Sequence, residues 1–335
     1  LVLSDARRRL PSMYQQVPRG GTTLFPNRGL PQCRGVRSRG RKALATQHQF
    51  HLIDALPYVF RAYFKLPGSI VDPQGRPANA VVGFANFILK YIKDEKPSHI
   101  AVCFDESLSS CFRNSWFPAY KSNRPPAPEE LKHQIKCCRQ LVEALGIKSF
   151  GDKSYEADDL VATLAKKAIS GGHTCVVVTN DKDLSQLVGP QTTLYDYAKG
   201  ERYDEAGIVQ KLGVKPSQVT DLLGLMGDAV DCIPGVKGIG QKHATALLRH
   251  FGSLDDVYTR LDELDKLPMR GSAGICKNLV AGKDIAFLSR KLATLVCKVP
   301  MKTRGLKNLR HEKPDMNHLH QLLDKFGLTR LHDRV

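Results

Sequence analysis

Three short apolar runs each end within two residues of an aspartate, and this pattern narrows the possible folds more than any other feature of the chain. FHLID (50–54) closes on Asp54, HIAVCF (99–104) is followed by Asp105, and TCVVVT (174–179) is followed by Asp181. Runs of four to eight β-branched and apolar residues read as buried strands. Helical periods lie between them. Val82, Ala85, Leu89 and Ile92 share one face of a helix over 79–93, and Leu131, Ile135, Cys138, Val142 and Leu145 share another over 129–145, which Gly146 stops. A further helix is expected from Tyr155 to Ser170, before Gly171-Gly172, and a fourth strand at 192–195. Strands alternating with helices imply an α/β fold with a mainly parallel central sheet flanked by helices. The chemistry of such sheets sits at the carboxyl ends of the strands, where these aspartates fall.

The acids form clusters at equivalent places. They are Asp54; Asp105; Glu156, Asp158 and Asp159; Asp181 and Asp183; and, further on, Asp228 and Asp231. Asp181 and Asp183 can point the same way if the chain there stays extended, and Asp228 and Asp231 share a face if their turn is helical. One such aspartate alone is most often a helix cap or a turn residue. Nine carboxylates at one sheet edge would raise one another's pKa values and oppose folding. Hard divalent cations remove that cost, and two of them about 4 Å apart can activate water and stabilise a leaving oxygen in phosphodiester cleavage.

Charge points to the same class of partner. The 335 residues carry 50 Lys and Arg against 33 Asp and Glu, a net of +17, which favours an anionic partner, nucleic acid by default. Ten of the cations and a single acid, Asp5, lie in residues 1–50, so the body retains +8. Residues 1–47 are rich in Arg, Gly, Pro, Ser and Gln and read as a basic disordered leader with the composition of an organelle transit peptide. Nine dispersed cysteines without a C-x-x-C pair argue against structural zinc and for buried free thiols. No apolar run is long enough to cross a bilayer, and a soluble protein is expected.

Residues 111–125 (CFRNSWFPAYKSNRP) interleave Arg113, Lys121 and Arg124 with Phe112, Trp116 and Tyr120, a pairing suited to single-stranded nucleic acid. The bland alternative is an exposed amphipathic helix. Gly235-Val236-Lys237-Gly238-Ile239-Gly240 precedes an apolar helix at 244–248. Glycines at a helix amino terminus let phosphate approach, although alone such a run is often only a tight turn.

Five ordered blocks then give a resemblance: LIDALPYVFRAYF (52–64), FDESLSSCFRNSWFPAYKSNRPPAPEEL (104–131), YEADDLVATLA (155–165), TNDKDLSQLV (179–188) and LLGLMGDAVDCIPGVKGIGQKHATALL (222–248). From about Phe50 to Val299 the chain resembles the 5′-nuclease domain of bacterial DNA polymerase I, within the flap endonuclease superfamily. The resemblance implies a PIN-like 5′-nuclease fold over 48–213 with a helical arch at about 106–128, a helical DNA-binding region with a helix-hairpin-helix over 214–310, and a tail over 311–335. The role of residues 300–335, which hold a helical stretch near Met316 to Phe326 and many cations, is left open between packing on the hairpin region and contacting DNA. The resemblance implies metal ligation by Asp54, Asp105, Glu156, Asp158 and Asp159 at one ion and by Asp181, Asp183, Asp228 and Asp231 at a second. It implies Lys121 and Arg113 as catalytic cations at the scissile phosphate, and Tyr120 as a base-stacking ring. Arg124, Gly235, Lys237, Gly238, Gly240 and Lys242 are the remaining expected DNA contacts. The expected cofactors are two Mg2+ ions, with Mn2+ able to substitute, and K+ at the hairpin.

The expected activity is that of a monomeric 5′-3′ exonuclease and 5′-flap endonuclease without a polymerase domain, working in a plant plastid or mitochondrion. Its expected substrates are DNA flaps, nicks, free 5′ ends and RNA–DNA primer junctions, beside an organellar polymerase or ligase and with no membrane. Two rival readings are a non-catalytic DNA branch-binding protein, against which the intact acidic set argues, and a PIN-type RNA-processing nuclease, which lacks arch and hairpin. Three departures from the family pattern stand out: Ala55 where glycine is usual, Cys232 where asparagine is usual, and His243 where threonine is usual.

Overall fold

The computed structural model describes residues 46–106, 111–266, 271–301 and 305–335. The transit-peptide reading of residues 1–47 therefore falls almost entirely outside the described residues. Six strands form one sheet in the order β3-β2-β1-β4-β5-β6. They are β1 (Gln49–Asp54), β2 (His99–Cys103), β3 (Lys148–Phe150), β4 (Thr174–Val178), β5 (Thr192–Asp196) and β6 (Glu201–Tyr203). All neighbours pair in parallel except β5 and β6. The parallel sheet expected from the alternating pattern is present. The short edge strands β3 and β6 carry too few apolar residues to announce themselves in the sequence.

Strand alternation sorts the side chains into two cores. Phe50, Leu52, Ala101, Cys103, Cys175, Val177 and Leu194 face α5 (Ala157–Ser170). On the other face, Ile53, Ile100, Val102, Val176, Val178 and Tyr195 pack with α1 (Leu56–Lys65), α2 (Asn79–Glu95) and α4 (Glu129–Ala144). His51 shares this second face. It is buried beside Tyr91, whose hydroxyl lies 2.5 Å from His51 Nδ1, and burial lowers its pKa to about 4.

The first core runs on without a break into the helical half. That half holds α6 (Glu205–Leu212), α7 (Val219–Met226), α8 (Gln241–Phe251), α9 (Leu254–Thr259), α10 (Ser272–Ala281) and α11 (Lys283–Ala293). The last helix, α12 (Met316–Lys325), contributes Leu319, Leu322 and Leu323 to the second core, against α4. Residues 311–335 thus pack on the back of the α/β half and not on the hairpin region. The amphipathic spacing of α12 was visible, but its docking partner was not. Among the described residues no helix is long and apolar enough to cross a membrane.

The expected helical arch takes another form. Between Cys111 and Pro128 only Arg113–Trp116 (α3) is helical, a single turn, and the chain then proceeds through turns. Pro118, Pro125, Pro126 and Pro128 explain this, since proline removes a helix donor and clashes with the preceding turn. Residues 107–110 lie outside the described residues.

Two glycines of the hairpin differ in kind. Gly235 is buried at φ +61°, and a Cβ there would stand 2.3 Å from Gly227 N and 2.5 Å from Met226 C. Gly240 is exposed, and a Cβ would meet nothing within 4 Å. Gly235→Ala is expected to lose about 2–5 kcal/mol in urea unfolding, from left-handed strain plus backbone overlap. Gly240→Ala is expected to stay within about 0.5 kcal/mol of the parent.

Candidate active site and nucleic-acid interface

Register builds the site. Asp54 lies level with Cys103 on β2, while Ile53 pairs with Val178 on β4, so Asp105 and Asp181 emerge on either side of Asp54. Thr179 joins two of these strand ends: its hydroxyl donates to Asp54 Oδ2 at 3.0 Å and accepts from Asp181 N–H at 3.0 Å. Asp105 Oδ1 accepts from Ala157 N–H at 2.7 Å, which ties the end of β2 to the first turn of α5. Asp158 sits in that same turn. Asp183 starts a 3-10 turn, so the chain is not extended there, yet its N–H donates to Asp181 Oδ1 at 2.9 Å and keeps the two acids adjacent. Asp228 and Asp231 lie on a non-helical turn closed by reciprocal backbone bonds between Asp228 and Ile233.

Crowding raises the acids as electrostatics requires. Burial, then the charges of Asp105 and Asp181, push Asp54 well up. Burial, then Asp54 and Asp181, do the same to Asp158. Burial raises Asp105 to about 6 against the pull of the Ala157 N–H, and burial with Asp181 and Asp231 raises Asp183 to about 8. Asp181 is raised too, chiefly by burial. Asp183 Oδ1 is buried with no hydrogen-bond partner.

Cations are interleaved with these acids. Lys121 Nζ lies 2.5 Å from Glu156 Oε1 and 3.5 Å from Asp231 Oδ2, Arg124 pairs with Asp231 Oδ1, and Lys182 Nζ lies 2.8 Å from Asp228 Oδ2. Burial pushes Glu156 up, but Lys121 and Arg113 outweigh it and hold the carboxyl below its usual range. Among the described residues no three Asp, Glu, His or Cys side chains stand close enough together, as placed, to hold one ion.

The acids open onto a cleft of about 450 Å3. Its lining combines Asp54, Asp105, Glu156, Asp158, Asp181 and Lys121 with the apolar residues Phe60, Phe64, Pro126, Leu131 and Val230. A larger groove of about 810 Å3 beside β3, lined by Arg139, Lys148 and Lys153, includes none of the strand-end aspartates.

Four expected roles require correction. Arg113 is 1% exposed and cannot meet a phosphate in this arrangement. Its Nη1 lies 2.7 Å from Asp159 Oδ2 and 3.1 Å from Glu156 Oε2, its Nη2 lies 2.8 Å from Asp159 Oδ1, and backbone carbonyls take the remaining donors. Asp159 is fully buried, and Arg113 and the N–H groups of Val296 and Glu156 occupy both its oxygens, so it does not face the other acids as a ligand. Tyr120 is 4% exposed and donates to Glu156 Oε2 at 3.0 Å, which leaves it no face for a base. Gly235 gives its N–H to Ser289 Oγ at 3.0 Å inside the fold, so it is not a phosphate donor. By contrast, Lys237, Gly238, Gly240 and Lys242 are exposed on the hairpin, with Gly240 immediately before α8.

Cys232 adopts φ +54°, the left-handed region that asparagine tolerates best among non-glycine residues. Its Sγ faces Ser122 Oγ at 3.9 Å, so the departure from asparagine acts on the turn rather than on the acids. Ala55 is wholly buried at the start of α1. The sequence reading missed Thr179 and Lys182. The signal for each was available: a hydroxyl closing a strand, and a cation between two aspartates.

The raised acids set a pH dependence. Folded Asp183 keeps its proton to about pH 8, whereas the unfolded chain releases it near 3.8, so the folded state binds more protons in between and stability falls as pH rises. His51 acts in the opposite sense only below its unfolded value of 6.5. With a chelator present, unfolding free energy is expected to drop by about 1 kcal/mol from pH 6.5 to 7.5. Asp183→Asn should make that slope shallower, with Asp54 and Asp158 keeping the remainder, as followed by urea titration at each pH.

Residues 49–213 match the family model of the 5′-3′ exonuclease N-terminal resolvase-like domain, and residues 214–317 match that of the 5′-3′ exonuclease C-terminal SAM fold. DNA polymerase I of Caldicellulosiruptor bescii is 36% identical over 278 residues, covering 81% of this chain and 32% of the polymerase. DNA polymerase I of Pseudomonas aeruginosa is 39% identical over 245 residues, covering 73% and 27%. The chain thus spans about a third or less of the length of these relatives. Among solved structures, the T5 5′-exonuclease with bound zinc superposes with a TM-score of 0.61 at 22% identity, covering 83% of this chain and 99% of that one. The catalytic core of Rad2 in complex with DNA substrate gives 0.55 at 16% identity, covering 83% and 86%. At such identities these two likenesses concern the fold. Matched along both halves, with its acidic blocks in order, this chain belongs to the 5′-3′ exonuclease family.

Proposed function

We propose that this protein is a structure-selective 5′-3′ exonuclease and 5′-flap endonuclease that hydrolyses DNA with two divalent metal ions. The observation that carries the reading is the set of carboxylates at the ends of β1, β2 and β4 and the start of α5, Asp54 buried and Asp105, Glu156, Asp158 and Asp181 half-buried, which line one cleft together with Lys121. Solved structures that share the fold include T5 5′-exonuclease with divalent metal ions and Rad2 with DNA substrate, which supports the same reading.

The donor set fits such ions. It is all oxygen, it includes the partnerless buried Oδ1 of Asp183, and its raised pKa values mark a site that gains when cations replace protons. Asp54, Asp105, Glu156 and Asp158 would hold one Mg2+; Asp181, Asp183, Asp228 and Asp231 would serve the second, and Mn2+ can substitute. Bound there, the ions supply Lewis acidity that lowers the pKa of a water and stabilises a leaving oxygen.

The residues of the chain do the rest. Lys121, its side chain 16% exposed, lines the cleft with its ammonium beside Glu156 and Asp231, where it would neutralise charge growing on the scissile phosphate. Water oxygen joins phosphorus as the P–O bond to the 3′ oxygen breaks, leaving a 3′-hydroxyl and a 5′-phosphate. Phe60, Phe64 and Pro126 offer apolar surface to an unpaired base of the 5′ strand. Lys237, Gly238, Gly240 and Lys242 grip duplex backbone, with K+ as a further ligand of the hairpin; such contacts read shape and not sequence. The reading extends to nicks, free 5′ ends and RNA–DNA primer junctions, to a monomer working with an organellar polymerase or ligase, and to import into plastid or mitochondrion on the basic composition of residues 1–47.

A labelled 5′-flap duplex tests this directly. Mg2+-dependent cutting near the junction, abolished by EDTA, is expected; tight binding without cutting would favour the non-catalytic branch binder. Asp181→Asn is expected to slow cleavage at least about a thousandfold with flap affinity retained, and an unchanged rate would sink the two-metal assignment. Lys121→Ala is expected to cost about 100- to 1,000-fold in single-turnover rate and only a few-fold in Kd. A loss confined to affinity would make Lys121 a simple phosphate contact.

A further inference from the structure

Arg113 has five N–H donors, and all five are engaged. Nε donates to Leu292 O at 2.9 Å; Nη1 donates to Glu156 Oε2 and Asp159 Oδ2; Nη2 donates to Asp159 Oδ1 and, at 3.1 Å, to Thr294 O. The guanidinium therefore joins three pieces of chain: the turn α3, the start of α5, and the segment leaving α11. Asp159 binds the third piece again, accepting from Val296 N–H at 2.8 Å.

The segment from Leu292 to Val299 is fastened further along its length. Gln186, just after Asp183, donates to Ala293 O at 3.0 Å and accepts from Leu295 N–H at 3.1 Å. Thr163 on α5 donates to Val296 O and accepts from Val299 N–H. Above the segment, Lys291 lies 3.8 Å from the Trp116 ring, so α3 is docked to α11 a second time. The same helix α11 reaches the hairpin through Ser289, which holds Gly235 N–H, and through its packing on α7. A strap from the DNA-gripping half thus crosses the α/β half at the foot of two ligand-bearing elements, α5 and the Asp183 turn.

We propose that Asp159, with Arg113, is a positioning residue and not a metal ligand: the pair locks the strap to α5 and so sets where Glu156 points. Asp158, the preceding residue, lines the cleft, while Asp159 is fully buried. The proposal rests on the nuclease reading above for its rate measurements, but not for its metal count.

The test compares Asp159→Asn with Asp158→Asn in the full chain. Asparagine keeps the shape and can still accept from Val296 N–H. Mn2+ binding is counted by paramagnetic resonance, flap affinity by anisotropy, and single-turnover cleavage over a range of Mg2+. For Asp159→Asn the expected result is the parental number of bound Mn2+ with affinity within threefold, flap Kd within threefold, and a rate at least 30-fold lower that added Mg2+ does not restore. Asp158→Asn should instead lose bound Mn2+. Loss of an ion in Asp159→Asn, or rescue of its rate by Mg2+, would make Asp159 a ligand and overturn the proposal. A parental rate would overturn it as well.

Should Asp159→Asn fail to fold, Gln186→Ala tests the strap without touching the buried pair. An approximately tenfold lower rate with unchanged Mn2+ count and flap Kd is expected, and a parental rate overturns the proposal. If the parent protein itself binds Mn2+ but does not cleave, the nuclease reading fails while the Mn2+ comparison still decides the role of Asp159.

Discussion

Crowding of carboxylates drawn wholly or partly out of water is the constraint around which the rest of this molecule is arranged. Burial raises Asp54, Asp158 and Asp181, the charges of Asp105 and Asp181 add to it at Asp54 and those of Asp54 and Asp181 at Asp158, and Asp183 is pushed to about 8. A fold gains nothing in stability from such a cluster. What holds it is a sheet whose parallel register fixes three strand ends side by side, two cores that clamp both faces, and hydrogen bonds that fasten individual acids: Thr179 to Asp54, and Ala157 to Asp105. Lys121, Arg124 and Lys182 offset part of the repulsion from the open side. Local cost accepted at a site and carried by the scaffold is how preorganised chemistry is commonly built.

The buried ion pair beneath the cluster has a different character. Arg113 and Asp159 are both removed from water, and each has its hydrogen-bonding capacity met. A buried pair contributes little net stability over a well-packed apolar substitute, yet it fixes geometry sharply, because any displacement leaves a charge unmet. That property suits a junction between two halves that share one continuous core. Strap, α5 and α3 cannot shift relative to one another without breaking a charged contact.

Much of this was legible in the sequence because the informative positions are periodic or clustered. Strand-end aspartates at 54, 105 and 181 follow from short unbroken apolar runs, and α4 and α12 follow from apolar spacing near 3.6. The short strands β3 and β6 escaped because three residues carry no period. Which way a charged side chain turns was not legible either. Asp158 and Asp159 are neighbours of the same type, yet a helix rotates them about 100° apart, and only packing against Val296 and Arg113 decides which one is buried. The same holds for Arg113, Tyr120 and Lys121: alternating rings and cations suggested a nucleic-acid surface, but the prolines fold the segment down, burying Arg113 and Tyr120 and leaving Lys121 at the cleft.

The central claim is that the raised carboxylates form a divalent-cation site, and proton accounting tests it most directly. A cation that binds oxygens still carrying protons must displace them. Calorimetric titration of the metal-free protein with Mn2+ at pH 7, in two buffers of different ionisation enthalpy, measures that displacement. The account predicts saturable binding of two ions with net release of about one proton or more per protein. Saturable binding with no proton release, or no binding at all, would contradict it.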